Sequence, residues 1–409
     1  MGRVTENKQK GKGLDVDEMD SRVVMIQTLI PIALEAVNQE LQEEVLRLAG
    51  DRHVPDKGAV KRWGYNPGSV CLEGQKLSIQ VPRVRDVVAG REIPLKSYAA
   101  LRDTEIINAN ALNQVLNGMS QRKYAKVARK VEETFGIEHS SVSLRFVKAS
   151  SALLKDLQTR DLGDEEIVAI FIDGKRFAEN GVIIALGVRV TGKKIVLGLI
   201  ESGTENRMVC SDFFNALLKR GLKVDDGVLI VVDGSKGIYS GVKDVLGGRV
   251  FVQRCQWHKR ENVLSYLDKK HQANIRTKLQ QAYEEPDYDK AKSRLMAVRK
   301  ELSLLNESAV ASLDEGLEET LTLHKLGMFA KLGRSFKTTN CIENVNSQLK
   351  IYTGRVCRWQ NSNMRQRWVA ASLLEIEPRL NRVSGHQHLK ELRKVMKCRL
   401  ANVKAVKAA

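Results

Sequence analysis

The run Val228-Leu-Ile-Val-Val-Asp-Gly234 constrains this chain more than any other stretch, because five consecutive apolar, mostly β-branched residues lead straight into an acid and a glycine. An unbroken apolar run of that length predicts a strand buried on both faces, and such strands belong to the middle of a sheet covered by helices. Asp233 then stands where the strand ends. A carboxylate beside a core needs a partner, so Asp233 either caps a helix beginning near Ser235 or holds a cation.

A second run, Glu166-Ile-Val-Ala-Ile-Phe-Ile-Asp-Gly174, repeats the pattern and sets Asp173 at the matching end of its own strand. If the two strands are parallel neighbours, their backbones lie about 4.8 Å apart and the carboxylates converge. Two acids that close repel each other, which is tolerable chiefly when a divalent cation sits between them. The pair therefore favours a hard-metal site over a simple helix cap.

The elements around these runs follow a specific order. Residues 181–190 and 195–201 read as two further strands joined by a Thr-Gly-Lys-Lys turn; a helix, the Asp233 strand, a helix over 238–246 and a short strand over 250–253 follow. That is the order of a ribonuclease H-like catalytic core, an α/β fold with a mixed five-stranded sheet flanked by helices, in which the first and fourth strands are parallel neighbours. The expected organisation is an N-terminal helical segment (1–60), bent or restarted at Pro31, then a small β module (61–100) with a hairpin around Glu73-Gly-Gln75, then a helix-turn-helix-like region (101–160). The core's first part (161–258), an all-α insertion (259–335), the core's last part (336–383) and a basic C-terminal tail (384–409) complete it.

Charge points to the partner. The formal net charge is +18, and it is unevenly placed: 23 Lys and Arg against 19 Asp and Glu over 1–150, 29 against 26 over 151–335, and 15 against 4 over 336–409. A surplus packed into one segment is an electrostatic footprint for a polyanion, here nucleic acid. Within 101–160, a Ser-capped helix presents Arg122 and Lys123, and a further helix over 141–148 presents Arg145 and Lys148; the pattern fits a DNA reader or a plain basic bundle. Between Tyr352 and Arg382 cations and aromatics interleave (Arg355, Arg358, Trp359, Arg365, Arg367, Trp368), a composition that can hold phosphates and stack bases. Arg355, Arg358 and Trp359 are the DNA-contact candidates there. Six cysteines without a CxxC pair, and no apolar run long enough to span a bilayer, predict a soluble protein of a reducing compartment, with no membrane partner.

Two further stretches carry candidate chemistry. Cys255-Gln-Trp-His258 has zinc-like spacing but no second pair, so His258 is either a satisfied buried group or an assistant near the acids. In Thr338-Thr-Asn-Cys-Ile-Glu-Asn-Val-Asn-Ser-Gln348, Glu343 sits three residues after the N-cap candidate Asn340, where it can close a capping box or supply a third carboxylate to the acid pair.

Taken together, Phe171-Ile-Asp-Gly174, Val231-Val-Asp-Gly234, Cys255-Gln-Trp-His258 and the Glu343 segment, in that order with a helical insertion before the last, resemble the DDE transposases of the Mutator superfamily carried by bacterial insertion sequences. Pro67-Gly-Ser69 through Pro82-Arg-Val-Arg-Asp86 adds to the likeness, which spans roughly residues 20–380. The resemblance implies that Asp173, Asp233 and Glu343 form the catalytic, metal-holding triad and that Cys255 and His258 match the family's Cys/Asp-x-x-His signature, with His258 assisting catalysis. The expected activity is binding of terminal inverted repeats followed by Mg²⁺- or Mn²⁺-dependent strand cleavage and strand transfer into target DNA, carried out by a homodimer or higher oligomer in the cytoplasm at the nucleoid. The alternatives are a ribonuclease H-like nuclease or resolvase without strand transfer, and a domesticated DNA-binding protein without chemistry.

Overall fold

The first described element is a single helix, Val16–Ala49, which runs through Pro31 without the restart that was one of the two expectations there. In this computed structural model residues 16–51, 58–72, 75–102, 112–113, 115–116, 139–177, 180–203 and 206–408 are described. They fall into two compact units, Met1–Val115 with Met119–Phe146, and Leu116–Gly118 with Val147–Ala409.

In the first unit, strands β1 (Val60–Leu72), β2 (Gln75–Asp86) and β3 (Arg91–Ile93) form an antiparallel sheet in the order β1-β2-β3. Leu72 pairs with Gln75; of the hairpin expected around Glu73-Gly-Gln75, Glu73 and Gly74 lie outside the described residues. Alternation along β2 sends Leu77, Ile79 and Val81 to one face, where they meet Val37, Leu41, Val45 and Ala49 of the long helix. Most of the expected helix-turn-helix, including Arg122 and Lys123, lies outside the described residues. Its described end is a helix His139–Thr159, far longer than the eight residues expected from 141 to 148. Arg145 on it is half-buried and Lys148 is exposed.

The second unit is a three-layer α/β structure. Strands β4 (Ile167–Phe177), β5 (Asn180–Arg189), β6 (Lys194–Ser202), β7 (Val228–Val232) and β8 (Val250–Arg254) make one mixed sheet in the order β6-β5-β4-β7-β8. β4 pairs antiparallel with β5 and parallel with β7, so the first and fourth strands of the sheet are parallel neighbours, as expected. All five residues of β7 are buried. The period-2 alternation splits the apolar residues cleanly between the faces. Ile170, Ile172, Ile230 and Val232 pack with the helices Arg207–Lys219 and Lys236–Leu246. Ala169, Phe171, Leu229 and Val231 pack with the helices Phe329–Phe336, Asn340–Thr353, Ser362–Ile376 and Leu389–Ala408.

Between β8 and the second group of helices, the helices Lys269–Glu284, Tyr288–Ser303 and Glu307–Asp314 build a core of their own from residues such as Ile275, Leu279, Leu295, Leu302 and Leu313. Two buried amides tie this insertion back to the sheet: the Gln253 and Gln256 side chains both donate to the Thr320 carbonyl, at 2.8 and 2.9 Å. The basic C-terminal residues, expected as a tail, form the helix Leu389–Ala408, and Leu389, Leu392 and Met396 are wholly buried in the sheet's core. Arg393 pairs with Glu166 and Asp226, both at 3.0 Å, which pins this helix at the end of the sheet opposite Asp173 and Asp233.

Candidate functional site

Register places the two strand acids. Parallel pairing of β4 with β7 ends at Ile172 opposite Val232, so Asp173 and Asp233 are each the first residue beyond it. β4 itself continues to Phe177 along β5, so Asp173 lies mid-strand and not at the strand end that the sequence suggested. Both acids share the parity of Phe171 and Val231, which directs them to the face covered by Asn340–Thr353. Backbones about 4.8 Å apart therefore carry two half-buried carboxylates side by side. One oxygen of Asp233 accepts from the Ser235 N–H at 3.0 Å, and Ser235 itself caps the helix Lys236–Leu246 by accepting from Ile238 at 3.4 Å. The turn between them needs Gly234, at φ 127°, because a side chain there would strike the Arg254 guanidinium.

The helix Asn340–Thr353 exists because Ile342, Val345 and Leu349 repeat on one face and are fully buried against the sheet. That orientation brings the adjacent polar positions to the acids. Asn346 donates from Nδ2 to Asp173 Oδ2 at 2.6 Å, while its own carbonyl accepts from Lys175 Nζ. Burial and the nearby Lys350 charge push the Lys175 ammonium down, against the pull of Asp173. Glu343 lies one turn before Asn346 on the same side.

Glu343 does not close a capping box. The N-cap is Thr339, not Asn340, which moves Glu343 to the fourth helical position, and the Thr339 side chain makes no cap bond to the first-turn N–H groups. Its carboxylate instead accepts from the Thr339 hydroxyl and lies 3.9 Å from His258 Nδ1. Thr339 is fully buried, and its oxygen is also 3.3 Å from His258 Nδ1 and 3.5 Å from the Cys255 sulfur. The Cys255 sulfur lies 3.2 Å from the same imidazole nitrogen and accepts from the His258 backbone N–H at 3.5 Å. Cys255 is held at the sheet edge by its own N–H, which donates to the Val232 carbonyl at 2.8 Å, one residue before Asp233. The Cys-x-x-His spacing is thus the N-cap of the helix Gln256–Leu264, with Cys255 as cap and His258 one turn on.

The electrostatics of this cluster are coupled. The bond to Cys255 holds the His258 imidazole above its ordinary pKa against the cost of burial, and the charges of Cys255, Glu343 and Asp233 act in the same direction. Burial alone would push the Cys255 thiol up, but its hydrogen bonds with His258 and Thr339 outweigh that and draw it down. His258 therefore feels both Asp233 and Glu343. Among the described residues, no three His, Cys, Asp or Glu side chains are grouped closely enough to share a metal ion as they stand.

Other candidates are scattered. Arg355 and Arg358 are exposed, while Trp359 packs edge-on against Phe177 with ring centroids 5.4 Å apart, so its ring serves the end of β4. Arg365 and Arg367 are buried: Arg365 donates to Glu201 at 2.7 Å and Arg367 to Ser150 and Asn363 at 2.9 and 2.6 Å. These two are structural, not phosphate contacts. Sequence reasoning missed Thr339 and Asn346; their signal was present, since Asn346 follows Glu343 by one helical turn and so shares its face.

A strongly basic α/β chain with two acids side by side on neighbouring inner strands of its sheet is of the class suited to act on a polyanion. More narrowly, the chain belongs to the Mutator family of transposases: the family model described as "Transposase, Mutator family" matches residues 3–380. It is similar to the transposase for insertion sequence element ISRM5 of Rhizobium meliloti, 26% identical over 385 residues covering 92% of this chain and 93% of the relative. It is also similar to the transposase for insertion sequence element IS256 in transposon Tn4001 of Staphylococcus aureus, 27% identical over 77% of this chain and 81% of the relative, and to the transposase for insertion sequence element IS406 of Burkholderia multivorans, 26% identical over the same shares. The protein is a DNA transposase by family. No helix among the described residues is long and apolar enough to cross a membrane.

Proposed function

We propose that this transposase binds terminal inverted repeats and performs divalent-metal-dependent strand cleavage and strand transfer, with Asp173, Asp233 and Glu343 as the acids that hold the metal on a ribonuclease H-like sheet. The observation that carries the reading is the matched register of Asp173 and Asp233 beneath the helix that bears Glu343. The donor set fits the group: carboxylate oxygens suit hard cations such as Mg²⁺ or Mn²⁺ and not zinc. As they stand, these acids are oriented by protein donors, Asp173 by the Asn346 amide and Glu343 by the Thr339 hydroxyl.

When bound, the metal would supply activation of the attacking oxygen and stabilisation of the departing one. The chain's own groups do the rest. Asn346 orients the Asp173 carboxylate. Thr339 and His258 hold Glu343 beside the sheet, and His258 stands where it can assist proton transfer. Exposed Arg355 and Arg358, together with Arg122, Lys123, Arg145 and Lys148, serve as DNA contacts. Two element ends must be held together for transfer, which calls for a dimer or larger assembly.

The test uses labelled duplexes carrying the element ends, with Mg²⁺ or chelator. Asp173→Ala, Asp233→Ala and Glu343→Ala should each abolish cleavage and joining while end binding persists. A Glu343→Ala protein that cuts at the normal rate would remove Glu343 from the chemistry, and cleavage without joining of a pre-cut 3′-OH end would reduce the protein to a nuclease.

A further inference from the structure

The three-stranded sheet of the first unit carries a charge arrangement that its own fold does not call for. β1 and β2 set Lys61 directly opposite Arg85. Val84, beside Arg85, is buried under the long helix, so alternation turns Arg85 and its partner Lys61 to the other face. Like charges directly opposed across a pair of strands are destabilising. The nearest relief is not used for this pair: Glu92, opposite Arg85 on β3, forms its ion pair with Arg83, and Lys61 has no ion pair among the described residues.

Arg85 is nevertheless held in place. Its guanidinium lies 4.9 Å from the centre of the Trp63 ring, and its Nη2 donates to the Gly90 carbonyl at 3.1 Å. Trp63 sits in the irregular register between Arg62 and Tyr65 and is 44% exposed, an unusual place for an indole that serves only packing. Across described residues 58–72 and 75–102 there are eight Lys and Arg against two Asp and Glu.

We infer that the outer face of this sheet, at Lys61, Trp63 and Arg85, is a DNA-backbone contact surface distinct from the helix-turn-helix expected over 101–160. The indole pins one guanidinium, the opposed lysine stands beside it, and a run of phosphates is the partner that turns their repulsion into attraction. Contacts of this kind position the duplex and carry no sequence information. The inference rests on the transposase reading, since it needs a DNA partner.

The full-length protein, without divalent cation, is titrated by fluorescence anisotropy against a duplex bearing the element end and a scrambled duplex of equal length over a salt series. Lys61→Gln should lower affinity for both duplexes by the same factor, about eightfold at 0.1 M salt, and reduce the slope of log K against log salt by about 0.9, the value for one phosphate contact. Its melting temperature should hold or rise, because a like-charge pair has been relieved. Arg85→Gln should show the same slope change. An unchanged slope, a loss confined to the end sequence, or a melting temperature that falls with the affinity each overturns the inference. Cleavage of the element end by the wild type in Mg²⁺ is scored on the same preparation, so failure here leaves the catalytic reading standing, and absence of cleavage tests that reading alone.

Discussion

Lys259 is fully buried, with Nζ donating to the carbonyls of Ser312 at 2.6 Å and Glu315 at 2.5 Å, and it joins the helix bearing His258 to the insertion. Burial, followed by the neighbouring Arg254 charge, lowers its pKa from 10.5 to about 8, with Glu315 only partly offsetting this. A lysine with a depressed folded pKa binds its proton more weakly in the folded chain than in the unfolded one. The penalty is therefore complete below about pH 8 and relieved as pH rises toward its ordinary value. At ~1.4 kcal/mol per pH unit the full effect is roughly 3 kcal/mol, of which roughly 2 kcal/mol is gained between pH 7 and pH 9.5. Higher pH is less informative: buried Tyr283, pushed up to about 12, stays protonated while unfolded tyrosines ionise near pH 10, and stability falls. Lys259→Met leaves the two carbonyls without their donor at every pH, so that loss cancels when two pH values are compared. Urea unfolding at pH 7 and 9.5 should then show the wild type gaining roughly 2 kcal/mol on the variant. Two proteins whose stabilities move in parallel would refute the argument, because Lys259 would then carry no burial penalty on its charge.

The remaining predictions concern the polar contacts around the core. Thr339→Val should slow strand cleavage on the order of 10–100-fold and shift the Mg²⁺ requirement upward, whereas Thr339→Ser should restore most of both; equal defects in the two variants would mean the hydroxyl does not hold Glu343. Glu201→Ala leaves Arg365 buried without its carboxylate and should cost about 3–5 kcal/mol in unfolding experiments. A loss under 1 kcal/mol would show that water reaches the guanidinium.

The sheet was legible because its strands are strongly patterned: Val228–Val232 and Ile167–Ile172 are buried runs. The side-by-side placement of the two aspartates followed from those runs, since parity is visible in sequence, but the end of β4 was not, because the strand runs on past Asp173 to Phe177. Glu343 was harder, because an acid four residues after a threonine and three after an asparagine satisfies a capping pattern equally well, and only the helix's packing decides which group it meets. Thr339 and Asn346 were hidden for the same reason. The burial of Arg365 and Arg367 was not legible: a cation's type is visible in sequence, but its place beside Glu201 or Ser150 depends on residues far away in the chain. The C-terminal helix was obscured by charge, since Leu389, Leu392 and Met396 are spaced for a buried stripe among many lysines and arginines.

That helix gives synthesis a direction. It seals the sheet beneath Glu166 and Asp226, yet the ribosome delivers it after both aspartates, the insertion and Glu343 have already emerged. A nascent chain can pair β4 with β7 while the sheet's core is still open, and the core closes only when residues 389–396 dock against it. Loss of those residues, by truncation or a frameshift, would thus open the sheet's core from the end opposite Asp173 and Asp233.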